Sequence, residues 1–163
     1  MRHVSWLDTR ARFVAGVPRD GALVDLGTAD GETLSHVAEL RPDLRLCAVD
    51  KGGLPRQLPA GCQFHRLDLE QEALPLPDAS VDAVTCIHLV EHLQHLDLVL
   101  REIFRVLKPG GRAFFETPHP KTVTLSSAEG DAAGNFPMNF YDDLTHVRVV
   151  AVGALAHLVR GAG

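Results

Sequence analysis

Apolar positions recur along the chain with two different spacings that take turns. Short apolar runs at "ALVDL" (22–26), "LRLCAVD" (44–50), "CQFHRLD" (62–68), "VDAVTCIH" (81–88) and "GGRAFFET" (110–117) each predict a strand. Helical spacing fills the gaps. "GETLSHVAEL" (31–40) places Leu34, Val37 and Leu40 on one face, and "RPD" ends it. "LVEHLQHLDLVLREIFRVLKPGG" carries Leu89, Leu93, Leu96, Leu100, Ile103 and Leu107 at helical spacing up to a Pro-Gly-Gly stop. It predicts one long crossover helix that includes His92. A short amphipathic helix around 4–15 leads in, and an apolar helix around 149–159 closes the chain. Strands and helices in alternation point to a parallel sheet with right-handed crossovers, the doubly wound α/β class.

Two stretches depart from this rhythm. "KGGLPRQLPAG" (51–61) has two prolines and three glycines where a crossover helix would stand, and predicts a loop or one distorted turn. Residues 118–146 show no period and many small and polar side chains, which predicts a long loop of the functional kind.

Composition narrows the class. A chain of 163 residues fits one domain over 1–163, able to bury a core without staples. No run of 18 apolar residues occurs, and "MRHVSWLDTRARF" reads as neither signal peptide nor anchor, so a soluble cytoplasmic protein without membrane association is expected. Cys47, Cys62 and Cys86 form no CxxC pair and read as buried free thiols. A formal charge of −5 argues against nucleic acid as a partner.

The candidate chemistry begins at "VDLGTADGETL", where the first strand turns into the first crossover helix. Gly27 and Gly31 allow a tight turn and close approach of a ligand. Asp50 ends the second strand and can accept hydrogen bonds from two ribose hydroxyls; Asp68 ends the third and can accept from an adenine amine. These describe an adenosine-shaped site. A dinucleotide fold wants GxGxxG, but the last position counted from Gly27 is Glu32, whose bulk and charge oppose a pyrophosphate. An NAD-dependent oxidoreductase is therefore a weaker alternative.

The spacing Asp25, Gly27, Ala29, Gly31 fits DxGxGxG and resembles the first motif of the class I S-adenosylmethionine-dependent methyltransferases. "RLDLEQEALPLPDASVDAVTCIHLVEHL" is similar to that family's third and fourth motifs, and "REIFRVLKPGGRAFFETP" to its segment before the fifth strand. The resemblance runs from about Leu23 to Pro118 and implies a Rossmann-like sheet in the order 3-2-1-4-5, helices on both faces. It implies S-adenosylmethionine as the cofactor and S-adenosylhomocysteine as the product. Asp25 would help hold the methionine amino group, and Gly27, Thr28, Ala29 and Gly31 would wrap the methionine portion. Asp50 with Lys51 would bind the ribose, and Asp68 with the Leu69 backbone would read the adenine. His88 would approach the methionine end through its backbone. Ala29 stands where the family has a glycine.

The implied activity is methyl transfer to an oxygen, nitrogen or carbon of a small molecule or glycan. No NPPY-like amino-methylating motif follows the fourth strand. A base near neutral pH would be a histidine. His119 follows the fifth strand, and His146 lies in "YDDLTHVR", which resembles a D(P)THxR segment of small-molecule and glycan methyltransferases with Leu144 where proline is common. His146 with Asp142 or Asp143 could equally cap the last helix. Phe136, Phe140 and Tyr141 could line an acceptor pocket or pin the loop. "HLVEH" (88–92) spells the inverted zinc-protease motif HxxEH, but it follows a buried strand and shares no helical face, so no metal is expected. The family's terminal strand hairpin is missing, which predicts an exposed fifth-strand edge open to a homodimer and leaves a truncated or inactive cofactor-binding module as the alternative function.

Overall fold

The computed structural model describes residues 9–125 and 139–162. Helix α1 (Thr9–Ala15) leads into strand β1 (Ala22–Leu26), helix α2 (Glu32–Leu40) and strand β2 (Arg45–Asp50). Strands β3 (Gln63–Arg66) and β4 (Val81–Ile87), helix α3 (Leu96–Val106), strand β5 (Leu107–Glu116) and helix α4 (Val152–Ala162) follow. The five strands form one sheet in the order β3-β2-β1-β4-β5, and every pairing is parallel. This is the doubly wound arrangement the alternation predicts, with β5 at one edge.

Alternation along the strands divides the core in two. Leu23, Leu46, Ala48 and Ala83 pack with α1 and α2 through Val14, Leu34 and Val37. Their neighbours Val24, Leu26, Cys47, Val49, Val84 and Cys86 pack on the other face with Leu96, Leu100 and Ile103 of α3 and Leu155 of α4. Leu23, Leu26 and Leu34 are fully buried, and each such side chain contributes roughly 1.5–3 kcal/mol by leaving water.

The structure corrects several predicted boundaries. The crossover helix is not continuous. Val90–His92 forms a 3-10 turn, Leu93 is extended at φ −87 and ψ 129, and α3 begins only at Leu96. His92 therefore lies on the turn, not on the helix. Tertiary hydrogen bonds explain the break: the Glu91 carbonyl accepts from Val147 and Arg148, and the His95 amide donates to the Glu70 carboxylate. Backbone groups committed to distant partners cannot also propagate a helix.

The third strand ends at Arg66, so Asp68 sits in the turn beyond it rather than at its last residue. The fifth strand starts earlier than predicted, at Leu107. Its pairing with β4 jumps from Val81–Leu107 to Ala83–Arg112, and the Pro-Gly-Gly stretch is absorbed as a bulge with Gly110 at φ 79. The last helix runs from Val152, three residues beyond its predicted start. Residues 51–61 contain no helix, as their prolines and glycines predict. Within 118–146 the described parts hold two 3-10 turns, Pro120–Thr124 and Phe140–Asp142.

Candidate cofactor site and its acceptor side

The turn after β1 is shaped by intrachain packing. Gly27 has φ 74, and a Cβ there would stand 3.1 Å from the Leu89 side chain. Gly31 has φ 93, and its Cβ would lie 2.9 Å from the Gln57 backbone. Loop 51–61 thus folds down onto the start of α2, where Gln57 donates from both amide and side chain to Asp30. Ala29 also adopts a left-handed backbone, φ 51, at a cost of about 1 kcal/mol that glycine would avoid.

Asp50 closes this turn from the neighbouring strand. Its Oδ2 accepts from the Ala29 amide at 2.9 Å and its Oδ1 from the Gly52 amide at 2.7 Å. Each oxygen keeps a second lone pair for a ligand hydroxyl. Asp68 is fixed in the same way, accepting from the Glu70 amide at 3.0 Å and the Gln71 side chain at 2.9 Å.

A cavity of about 280 Å³ opens between these carboxylates. Gly27, Ala29, Asp50, Lys51, Asp68, Leu69 and His88, all predicted from sequence, line it with His92 and Thr145. Larger cavities of about 580 and 390 Å³ contain neither Asp50 nor Asp68: one lies at the opposite ends of the strands, the other between α1, α2 and β4. Gly31 and Thr28, also predicted, do not line it. Asp25 lies one layer below: only 2% exposed, it accepts from the Thr85 hydroxyl at 2.6 Å. Burial pushes its carboxyl up to about 6, against the pull of the Thr85 and Thr28 hydroxyls.

At the end of β4 the chain turns sharply. His88 has φ 51, and its amide donates to the Glu116 carbonyl of β5. Its ring faces two carboxylates, Glu91 Oε1 at 3.2 Å and Glu116 Oε1 at 3.5 Å. The Glu91 hydrogen bond raises the His88 pKa despite partial burial. Glu91 itself is fully buried, which works to raise its carboxyl, but the hydrogen bonds from His88 and its own amide prevail and hold it below the ordinary range. Arg10 of α1 pairs with Glu116 on the outer side.

The predicted histidines separate. His119 is exposed and caps the 120–124 turn by accepting the Lys121 amide at 3.1 Å. His146 is mostly buried, donates from Nδ1 to the Phe140 carbonyl at 2.6 Å, stacks on Phe140 and packs at a tilt against His92. It precedes α4 by six residues and caps no helix. Neither histidine lines the cavity; the adjacent imidazole that does is His92. Tyr141 is exposed, Phe140 is buried against His146, and Phe136 lies outside the described residues. Thr145 and His92 both fall inside motifs visible in the sequence, but nothing in the spacing signals that they meet.

A methyltransferase domain family model matches residues 1–163. The chain is 33% identical over 133 residues to a ubiquinone biosynthesis O-methyltransferase of Pseudomonas putida (strain GB-1), covering 76% of this chain and 54% of that protein. A protein of the same name from Pseudomonas syringae pv. tomato is 29% identical over 162 residues, 93% of this chain and 66% of its own length. The chain thus spans about half to two-thirds of these relatives. Among solved structures, a SAM dependent methyltransferase from Archaeoglobus fulgidus superposes with a TM-score of 0.69 at 22% identity, over 93% of this chain and 63% of the other. The [4+2]-cyclase SpnF superposes at 0.68 with 21% identity, over 94% and 55%. With the glycine turn and its two carboxylates in place, the full-length family match shows that this chain belongs to the class I S-adenosylmethionine-dependent methyltransferase family.

Proposed function

We propose that this domain binds S-adenosylmethionine in the 280 Å³ cavity and transfers its methyl group to an oxygen of a small hydroxylated molecule. The observation that carries this reading is the pair Asp50 and Asp68, facing one cavity across the Gly27–Ala29 turn, with free lone pairs on already anchored oxygens. Asp50 would take the two ribose hydroxyls, and Asp68 with the Leu69 backbone the adenine. The methionine end would then point toward His88, beneath which Asp25 supplies a buried carboxyl.

Positioning can supply much of the rate in a displacement of this kind, roughly 7–11 kcal/mol for well-oriented groups. The cavity wall formed by His88, His92 and Thr145 is where an acceptor would meet the sulfonium methyl. Support for an oxygen acceptor comes from the relatives, which are named O-methyltransferases. A dinucleotide fits poorly. Asp30 and Glu32 place two carboxylates at the start of α2, and Asp30 Oδ1 already accepts the Glu32 amide at 3.1 Å.

The reading is tested by supplying S-adenosylmethionine with a panel of catechols, phenols and sugars, and measuring formation of S-adenosylhomocysteine. Acceptor-dependent product that disappears in Asp50→Ala is expected. Cofactor binding without turnover on any acceptor would leave a module that binds the cofactor without transferring its methyl group; the fold is shared by a protein named for another reaction, the [4+2]-cyclase SpnF.

A further inference from the structure

We infer that Glu91, His92 and His146 form a binding site for one divalent transition-metal ion on the acceptor side of the cavity. One ligand atom from each residue lies within 4.8 Å of the other two. The three come from two segments: Glu91 and His92 from the 3-10 turn after β4, His146 from the segment before α4.

Hydrogen bonding identifies the atoms left to ligate. His92 Nδ1 lies 3.3 Å from the Thr145 carbonyl and 2.9 Å from its hydroxyl oxygen. A carbonyl only accepts, so Nδ1 carries the proton and the lone pair of the neutral ring is on Nε2. The hydroxyl agrees, because Thr145 gives its own proton to Asp143 Oδ1 at 2.6 Å. His146 follows the same logic. Its Nδ1 donates to the Phe140 carbonyl at 2.6 Å, so in the neutral ring the lone pair is on Nε2, which lies 3.7 Å from Asp143 Oδ2. Imidazoles that donate their other N–H to a protein oxygen are the usual form of metal-bound histidine.

Glu91 supplies the independent observation. It is fully buried, and its Oε2 and the Thr117 hydroxyl are the two buried side-chain atoms without a hydrogen-bond partner among the described residues. Leaving such an atom unmet is costly, the more so for a charged group. A cation would satisfy it. The two backbones are stitched together, with Val147 N donating to the Glu91 carbonyl at 2.8 Å and the Arg148 guanidinium to the Gln94 carbonyl at 2.5 Å. Small side-chain rotations can therefore close the set. Tetrahedral bonds of about 2.0–2.1 Å place ligand atoms about 3.3 Å apart.

Two imidazoles and one carboxylate suit Zn²⁺, Co²⁺ or Mn²⁺ better than Mg²⁺, which prefers oxygen ligands and retains water. His92 also lines the cofactor cavity, so the ion's open positions would face an acceptor there. This is not the motif spelled by "HLVEH". His88 is turned to the other oxygen of Glu91, and His146 takes its place as the second imidazole.

The test uses the chelator-stripped chain, shown folded by circular dichroism. Co²⁺ is titrated with visible absorption as the readout, and Zn²⁺ and Mg²⁺ by calorimetry. One Co²⁺ or Zn²⁺ per chain, bound more tightly than Mg²⁺, is expected. His146→Gln and His92→Gln should each weaken binding at least about tenfold, with thermal melts confirming that they fold. His157→Gln, an exposed histidine of α4, should change nothing. Absence of a saturable Co²⁺ spectrum from the folded chain overturns the inference. So does binding undiminished in both variants, which would place the ion on other histidines. S-adenosylmethionine binding is measured separately on the same preparations, so failure of the metal site and failure of the cofactor site remain distinguishable.

Discussion

The two sides of the cavity are built by different means. On the cofactor side, the Gly27–Gly31 turn, Asp50 and Asp68 sit at or just beyond the carboxyl ends of adjacent parallel strands, where Asp50 also accepts from the Ala29 amide of the neighbouring turn. Asp50 reaches Gly52 two residues away, and Asp68 reaches Glu70 and Gln71. On the acceptor side, His92 meets Thr145 across 53 residues and Arg148 meets Gln94 across 54. The first region is positioned by the sheet; the second depends on one irregular segment docking on a 3-10 turn. Changes to the first should act on cofactor affinity and stability together, and changes to the second on the acceptor step alone.

The largest effect expected is on the buried carboxyl beneath the turn. Folding raises Asp25 from 3.8 to about 6, so the folded state favours its protonated form. That contribution is complete below pH 3.8 and is lost as pH rises through 6. At pH 7.5 the buried charge therefore costs about 2–3 kcal/mol. Asp25→Asn should melt several degrees higher than the parent at pH 7.5, with the gap closing near pH 4. A gap independent of pH would mean the carboxyl is not the source.

Asp50→Ala removes the acceptor of both ribose hydroxyls and should weaken S-adenosylmethionine about 100-fold, since a hydrogen bond to a charged group contributes roughly 1.5–3 kcal/mol. Calorimetry reads this directly; unchanged affinity would misplace the ribose. Gly31→Ala should lower stability by about 2 kcal/mol, because its φ of 93 and the Gln57 backbone 2.9 Å from the new Cβ both oppose a side chain. A denaturant melt with an unshifted midpoint would show the loop gives way freely.

Across the cavity the numbers shrink. Thr145→Val takes away the hydroxyl that, with the Thr145 carbonyl, orients His92, and we expect a loss of about 1 kcal/mol in kcat/KM with cofactor affinity intact. If cofactor affinity falls as well, the two sides are not independent. His119→Ala removes an exposed cap of a short turn and should change stability and turnover by less than about 0.5 kcal/mol. A large loss of turnover in that variant would restore His119 as a base.

The same division governs what the sequence discloses. The strands and both helical faces follow from short-range patterns, a period of two or 3.6, a glycine at a turn, a carboxylate at a strand end, while the strand order and the seven predicted residues of the cavity wall come with the family resemblance that those motifs carry. The acceptor side does not. Leu89, Leu93 and Leu96 keep helical spacing although the helix is broken between them, because the Glu91 carbonyl and the His95 amide bind partners far along the chain. Apolar spacing reports which side chains are buried, and Val90, Leu93 and Leu96 are. It cannot report that their backbone hydrogen bonds are spent elsewhere. That His146 meets His92 is likewise visible only once the 139–148 segment is seen docked on the 90–92 turn.

The central claim is that the cavity between Asp50 and Asp68 is an adenosine site of the methyltransferase kind. The most direct test is calorimetric titration of the purified chain with S-adenosylmethionine, S-adenosylhomocysteine and NAD in parallel. We predict saturable binding of the first two and none of NAD. Binding of NAD alone, or of none of the three to a chain shown to be folded, would contradict the claim.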